Sequence, residues 1–130
     1  NFNGIRILLV EDNIVNQKVG VRLLEKMGCS VDLAANGLEA VEMARELPYN
    51  LILMDCQMPE MDGFEASRMI RTLPGDTATI PIVALTAAAT SEDRQRCLAA
   101  GMNAYLTKPI TLDDLGRAIE AWMLPARAKV

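Results

Sequence analysis

Leu51-Ile52-Leu53-Met54-Asp55 is a run of four apolar residues closed by a carboxylate. The run does not alternate polar and apolar residues, so a strand built from it is buried on both faces. Such a strand belongs in a parallel sheet with helices on each side. Ile7-Leu8-Leu9-Val10 and Ile82-Val83-Ala84-Leu85 have the same character. Two weaker runs complete a set of five predicted strands, at Ile5–Val10, Ser30–Ala34, Asn50–Met54, Pro81–Leu85 and Asn103–Thr107.

Amphipathic stretches separate the runs and carry helix punctuation. Asn36 with Glu39, Thr90 with Asp93 and Thr111 with Asp114 are capping-box-like starts for the second, fourth and fifth helices. Asp62-Gly63 is expected to open the third. Gly28 and Gly101 follow the first and fourth, where a left-handed terminating residue is needed. Helical spacing turns Val19, Leu23 and Met27, with Leu24 beside them, toward the sheet in the first helix. In the fifth it turns Leu112, Leu115, Ile119 and Trp122 the same way.

Alternation of strand and helix with short connections gives an α/β doubly wound (βα)5 domain. Right-handed crossovers leave few topologies, and the flavodoxin-like order 2-1-3-4-5 with helices on both faces is expected. The domain is expected over residues 5–123, with 1–4 and 124–130 as linker remnants because the apolar pattern stops after Trp122. An opening Asn1 in place of Met predicts a piece of a longer protein.

Composition narrows the chemistry. The 130 residues, 51% apolar and 23% charged, suit one folded domain with its own core. There is no histidine, which excludes Ser-His-Asp and Cys-His nucleophile pairs, a histidine base and His-ligated zinc or iron. A net charge of −4 without a basic block argues against nucleic acid as a partner. No apolar run is long enough to span a membrane, so no direct membrane contact by this domain is expected. Cys29, Cys56 and Cys97 are odd in number and widely spaced, which points to a reducing, cytoplasmic setting and to packed, inert thiols. The parent protein can itself be anchored in the inner membrane.

The residues at the strand ends carry the signal. The first strand ends in Glu11-Asp12, the third in Asp55, the fourth in Thr86 and the fifth in Lys108-Pro109. In a parallel sheet all of these lie on one edge, where ligands bind at the reversal of strand order. Each alone has a bland reading as a helix cap, a turn residue or a solvated charge. As a set they do not. Three clustered carboxylates repel one another unless a cation or proton joins them. Without histidine or paired cysteine the available ligands are oxygens, which suit Mg2+ or Mn2+. A divalent ion, Lys108 and the Thr86 hydroxyl around Asp55 would cradle a phosphoryl group, with Asp55 as nucleophile.

Four motifs resemble the receiver domain of two-component response regulators. They are Val10-Glu11-Asp12-Asn13, Leu53-Met54-Asp55-Cys56-Gln57-Met58-Pro59-Glu60-Met61-Asp62-Gly63, Leu85-Thr86-Ala87 and Tyr105-Leu106-Thr107-Lys108-Pro109. The resemblance covers about residues 5–123, and with Asn16-Gln17 it is most like receivers of hybrid sensor histidine kinases. It implies that Asp55 accepts a phosphoryl group from a phosphohistidine in a phosphorelay. It further implies that Asp12, Asp55 and the Gln57 backbone carbonyl bind the cation, with Glu11 acting through a metal-bound water. Thr86 and Lys108 would bind the phosphoryl oxygens, Thr86 and Tyr105 would form the switch, and Lys108-Pro109 would be cis. Gln57 and Ala88 would tune acylphosphate lifetime.

The implied partner is a histidine kinase core or a histidine phosphotransfer domain. Ile14, Lys18, Val21 and Arg22 lie on the first helix, away from its expected sheet face and beside the mouth of the site. Receivers in the resembled family dock their histidine-bearing partners on this helix, so these four are the expected docking residues. Three other readings compete. A receiver that stands alone or belongs to a transcription factor differs only in what flanks it. An aspartate-nucleophile phosphatase wants a second Asp two residues after the nucleophile, where Gln57 stands. A flavin or nucleotide binder wants a glycine- or hydroxyl-rich loop after the first strand, where Glu11-Asp12-Asn13 would repel phosphate.

Overall fold

The computed structural model describes residues 2–58, 61–87 and 90–128, with side chains through Met123. Five strands, β1 (Arg6–Val10), β2 (Ser30–Ala34), β3 (Leu51–Asp55), β4 (Ile82–Thr86) and β5 (Ala104–Thr107), pair in the order β2-β1-β3-β4-β5. Every pairing is parallel. Five helices connect and follow them: α1 (Ile14–Lys26), α2 (Gly37–Glu46), α3 (Gly63–Arg71), α4 (Ser91–Ala99) and α5 (Leu112–Ala128). A short 3-10 turn, Gly75–Thr79, lies between α3 and β4.

The period of two along each strand divides the core into two layers. Leu8, Val10, Ile52, Met54, Ile82 and Ala84 face α2, α3 and α4, where Val41, Phe64, Ile70 and Cys97 meet them. Ile7, Leu9, Leu51, Leu53, Val83 and Leu85 face α1 and α5, against Leu24, Leu115 and Ile119. This two-sided burial is why the central runs are continuously apolar.

The helix starts follow the sequence. Asn36, Asp62, Thr90 and Asn13 each accept a hydrogen bond from the backbone N–H three residues on, at 2.9, 2.9, 3.1 and 3.0 Å. Thr111 does the same for Asp114 at 3.1 Å. Gly28 and Gly101 take φ of +94° and +91°, the left-handed conformation that ends a helix.

Two expectations change. Helix α1 is turned so that Gly20 and Leu24 are its buried residues, while Val19 is 50% exposed and Leu23 and Met27 are half-buried. The cause is Gly20: a Cβ there would lie 2.7 Å from Leu9 Cδ2, so the bare backbone packs directly on β1. In α5, Leu115 and Ile119 are buried but Leu112 is 40% exposed. It opens the helix and sits roughly 50° off the line through Leu115, Ile119 and Trp122. The backbone of α5 continues to Ala128, into the stretch 124–130 expected as a linker remnant.

Candidate functional site

Parallel pairing brings the carboxyl ends of β1, β3, β4 and β5 to one edge. Strand order reverses at β1, whose neighbours are β2 and β3, and the crevice opens between β1 and β3. A cleft of about 180 Å3 lies there, lined by Glu11, Asp12, Asp55, Gln57, Thr86 and Lys108 among others. Carboxylate oxygens of Glu11, Asp12 and Asp55 all lie within 4.8 Å of one another. Asp12 is exposed, whereas Glu11 and Asp55 are 2% and 3% exposed.

Lys108 reaches in from the β5–α5 loop. Its Nζ lies 3.1 Å from Glu11 Oε1 and 3.2 Å from Asp55 Oδ1. Its backbone N–H donates to the Thr86 carbonyl at 2.8 Å, which ties the ends of β4 and β5 together. The Lys108-Pro109 peptide is cis, as the resemblance implied.

The loop after β1 is tethered as well. The Asn13 N–H donates to Glu11 Oε2 at 3.2 Å, and the Gln17 side-chain amide donates to the Glu11 carbonyl at 2.7 Å. After β3, the Gln57 N–H donates to Asp55 Oδ1 at 3.2 Å. The Gly63 N–H donates to the Cys56 carbonyl at 3.2 Å.

The charges are unequal partners. Burial pushes the Asp55 carboxyl up to about 6, and the negative charge of Glu11 adds to the rise; Lys108 pulls it down by less. Burial works against the Glu11 charge too, but the Asn13 N–H and Lys108 outweigh it and hold Glu11 below the usual carboxylate range. Burial alone would lower Lys108, yet its contacts with Glu11 and Asp55 carry it upward. One lysine therefore pairs with two of the three clustered carboxylates. The all-oxygen donor set with this excess negative charge fits a hard divalent cation such as Mg2+.

Tyr105 does not line the cleft. Its half-buried ring packs against the α2–α4 layer, with the Arg94 guanidinium 5.1 Å from the ring centre. Cys56 is 4% exposed, and burial, aided by neighbouring Cys97, pushes its thiol up to about 12, which fits the packed, inert reading. Ala88 and the motif residues Pro59 and Glu60 lie outside the described residues.

The α1 face differs in detail from its expected form. Ile14 is 66% exposed and lines a groove with Lys18, Arg22 and Leu33. Val21 lines the same groove but is half-buried and packs on the α1–α5 layer, so it forms the groove's wall more than a free anchor. Val15 and Val19 add exposed apolar surface that the spacing argument missed.

Known proteins bear on this geometry. A relative in Dictyostelium discoideum, hybrid signal transduction histidine kinase B, is 49% identical over 120 residues, 85% of this chain and 6% of its own length. Histidine kinase 1 of Arabidopsis thaliana is 42% identical, covering 85% of this chain and 12% of the relative. The chain thus spans only a small part of the curated relatives it matches.

Among solved structures, the receiver domain of a sensor histidine kinase from Pseudomonas aeruginosa is 47% identical with a TM-score of 0.85. The match covers 92% of this chain and 97% of that one, whose active-site cleft holds a coordinated magnesium ion. The receiver domain of Ssk1 from Saccharomyces cerevisiae, solved with the histidine phosphotransfer protein Ypd1, is 39% identical with a TM-score of 0.85. That match covers 94% of this chain and 90% of the other. The family model for the response regulator receiver domain matches residues 7–120, and the chain belongs to that family.

Proposed function

We propose that this domain accepts a phosphoryl group on Asp55 from a phosphohistidine and passes the event on as a change of shape. The observation that carries the reading is the position of Asp55. It closes the central strand, nearly buried, with Glu11 and Asp12 within 4.8 Å and Lys108 at 3.2 Å. An Asp55 oxygen attacks phosphorus as the P–N bond to the imidazole breaks; the imidazole nitrogen keeps the electron pair. A cation held by Asp12, Asp55 and the Gln57 carbonyl, with Glu11 behind a bound water, would neutralise charge on the transferred group. Lys108 supplies a second positive charge and Thr86 a hydroxyl donor at the end of the adjacent strand. Mn2+ satisfies the same donor set.

Movement of Thr86 toward the phosphoryl group would draw Tyr105 inward, as in the switch of the family. The hybrid-kinase relatives support a parent that carries its own kinase core, with a stand-alone or transcription-factor receiver as the other arrangement. Three buried, unbonded cysteines support a reducing, cytoplasmic placement. The phosphatase reading is disfavoured because the position two after Asp55 is Gln57, which offers no second acid.

Two results are expected. Phosphoramidate with Mg2+ should add one phosphoryl mass to the protein, and excess EDTA should prevent it; equal labelling in EDTA would refute the cation role. In the same series Mg2+ should raise the melting temperature of the wild type, because it binds only the folded cluster, and should do so less for Asp12→Ala.

The second result concerns docking. The attacking oxygen and the phosphohistidine must line up, so the donor helix has to seat beside the cleft, where α1 exposes Ile14, Val15 and Val19. The Ypd1 complex of the Ssk1 receiver supports this class of partner. Lys18 and Arg22 would lie at the rim of that contact, with Val21 in the groove. Ile14→Asp should slow transfer from a histidine phosphotransfer domain by about tenfold, on the order of 1.4 kcal/mol. Labelling by phosphoramidate should be spared. A parallel fall in both rates would mean that Ile14 serves the cleft itself.

A further inference from the structure

Asp12 is the cation ligand with the least protein around it: it is exposed, while Glu11 and Asp55 are buried. Its direction has to be set by the backbone that carries it. Both peptide units flanking Asp12 are held. The unit after it is fixed by its N–H, which Asn13 donates to Glu11 Oε2 at 3.2 Å. The unit before it is fixed by its carbonyl, that of Glu11, which accepts from Gln17 Nε2 at 2.7 Å. This carbonyl lies just past the end of β1 at Val10. Gln17 is itself placed by the start of α1, where its N–H donates to the Asn13 carbonyl at 2.9 Å and Asn13 Oδ1 accepts from Asn16 N–H at 3.0 Å. The side chain is half-buried and so does not sweep freely through solvent.

We infer that Gln17 is a positioning residue for the divalent-cation site, acting through the Glu11 carbonyl to aim the Asp12 carboxylate; this rests on the cation reading above. Gln17 is not among the described residues that line the cleft. With its amide removed, the peptide unit between Glu11 and Asp12 can rotate while the Asn13 tether, the Lys108 pairs and the strand remain. Asp12 then samples directions in which it shares no cation with Asp55. The fixed aim is lost, and the cost appears in affinity for the cation and not in the fold.

Gln17→Met keeps the length and apolar stem of the side chain and removes its donor. Isothermal titration with MgCl2 should show binding about fivefold weaker than wild type, the loss expected for one net hydrogen bond. The Mg2+ concentration that half-saturates phosphoramidate labelling should rise by the same factor. Amide resonances of Asp12 and Asn13 should broaden or shift in the metal-free protein, with those of β3 and β4 unmoved. Equal Mg2+ affinity in Gln17→Met and wild type would overturn the inference. So would a lowered labelling plateau with unchanged half-saturation, or resonance changes spread through the whole sheet, since either marks a general structural role. A wild-type protein that takes up no Mg2+ would instead overturn the cation reading on which the inference rests.

Discussion

Asp55→Asn should abolish phosphoryl labelling by phosphoramidate and by a phosphohistidine donor, a loss of at least about a hundredfold. The amide keeps the shape of the carboxyl but is not a nucleophile at physiological pH. Glu11 and Asp12 do not substitute readily. Glu11 is 2% exposed and already holds Lys108 and the Asn13 N–H. Asp12 is exposed and lies past the end of β1, whereas Asp55 Oδ1 is bracketed by the Gln57 N–H at 3.2 Å and Lys108 Nζ at 3.2 Å. Wild-type labelling of the variant would remove Asp55 from its role.

The same variant carries an independent signature in stability. Asp55 titrates at about 6 in the folded protein, above the ordinary value of 3.8, because burial and Glu11 disfavour its charge. A raised carboxyl favours the folded state at acid pH, and that contribution is lost as pH rises from about 4 through 6. Glu11 has the opposite sign. Its lowered value stabilises the fold above its ordinary range and is lost as the pH falls through it. At pH 7.5 in EDTA, therefore, Asp55→Asn should melt a few degrees above wild type, and added Mg2+ should narrow the gap.

Much of this was legible in the sequence because the chemistry sits where the pattern is strongest. Doubly buried strands give uninterrupted apolar runs, and a parallel sheet sends the residue after each run to one edge. Glu11, Asp12, Asp55, Thr86 and Lys108 follow from that alone, and they meet around one cleft. The face of α1 was less legible. Apolar residues stand at 14, 15, 19, 21, 23, 24 and 27, nearly all round the helix, so spacing permits more than one sheet face. What decides is Gly20, which has no side chain to register in a hydrophobic pattern yet lets the backbone rest on Leu9. The Gln17 tether escaped for a related reason. A polar side chain early in a helix looks solvated, and its partner is a backbone carbonyl that no sequence displays.

Gly63→Ala should be the most damaging small substitution in the domain. A Cβ on residue 63 would run into the Asp55 carbonyl oxygen and lie 3.0 Å from the Asp55 carbonyl carbon and 2.9 Å from Met54 Cγ. Two of these neighbours are backbone of the strand that carries Asp55, so they cannot swing aside as a side chain can. Either α3 lifts from the sheet or the end of β3 bends, and both disturb what the close approach secures. The Gly63 N–H holds the Cys56 carbonyl, the Asp62 cap starts α3, and Phe64 and Ile70 fill the α2–α4 layer behind it. The cost should reach about 3 kcal/mol or more, at the upper end of overpacking effects. That corresponds to a fall in melting temperature of roughly 10 °C for a domain of this size. Gly75→Ala is the control. Its φ is +74° but nothing lies within 4 Å of the added Cβ, so only the backbone strain of about 1 kcal/mol should appear. If the two variants melt together, the approach of α3 to Asp55 is loose, and α3 does not hold the end of β3 in place.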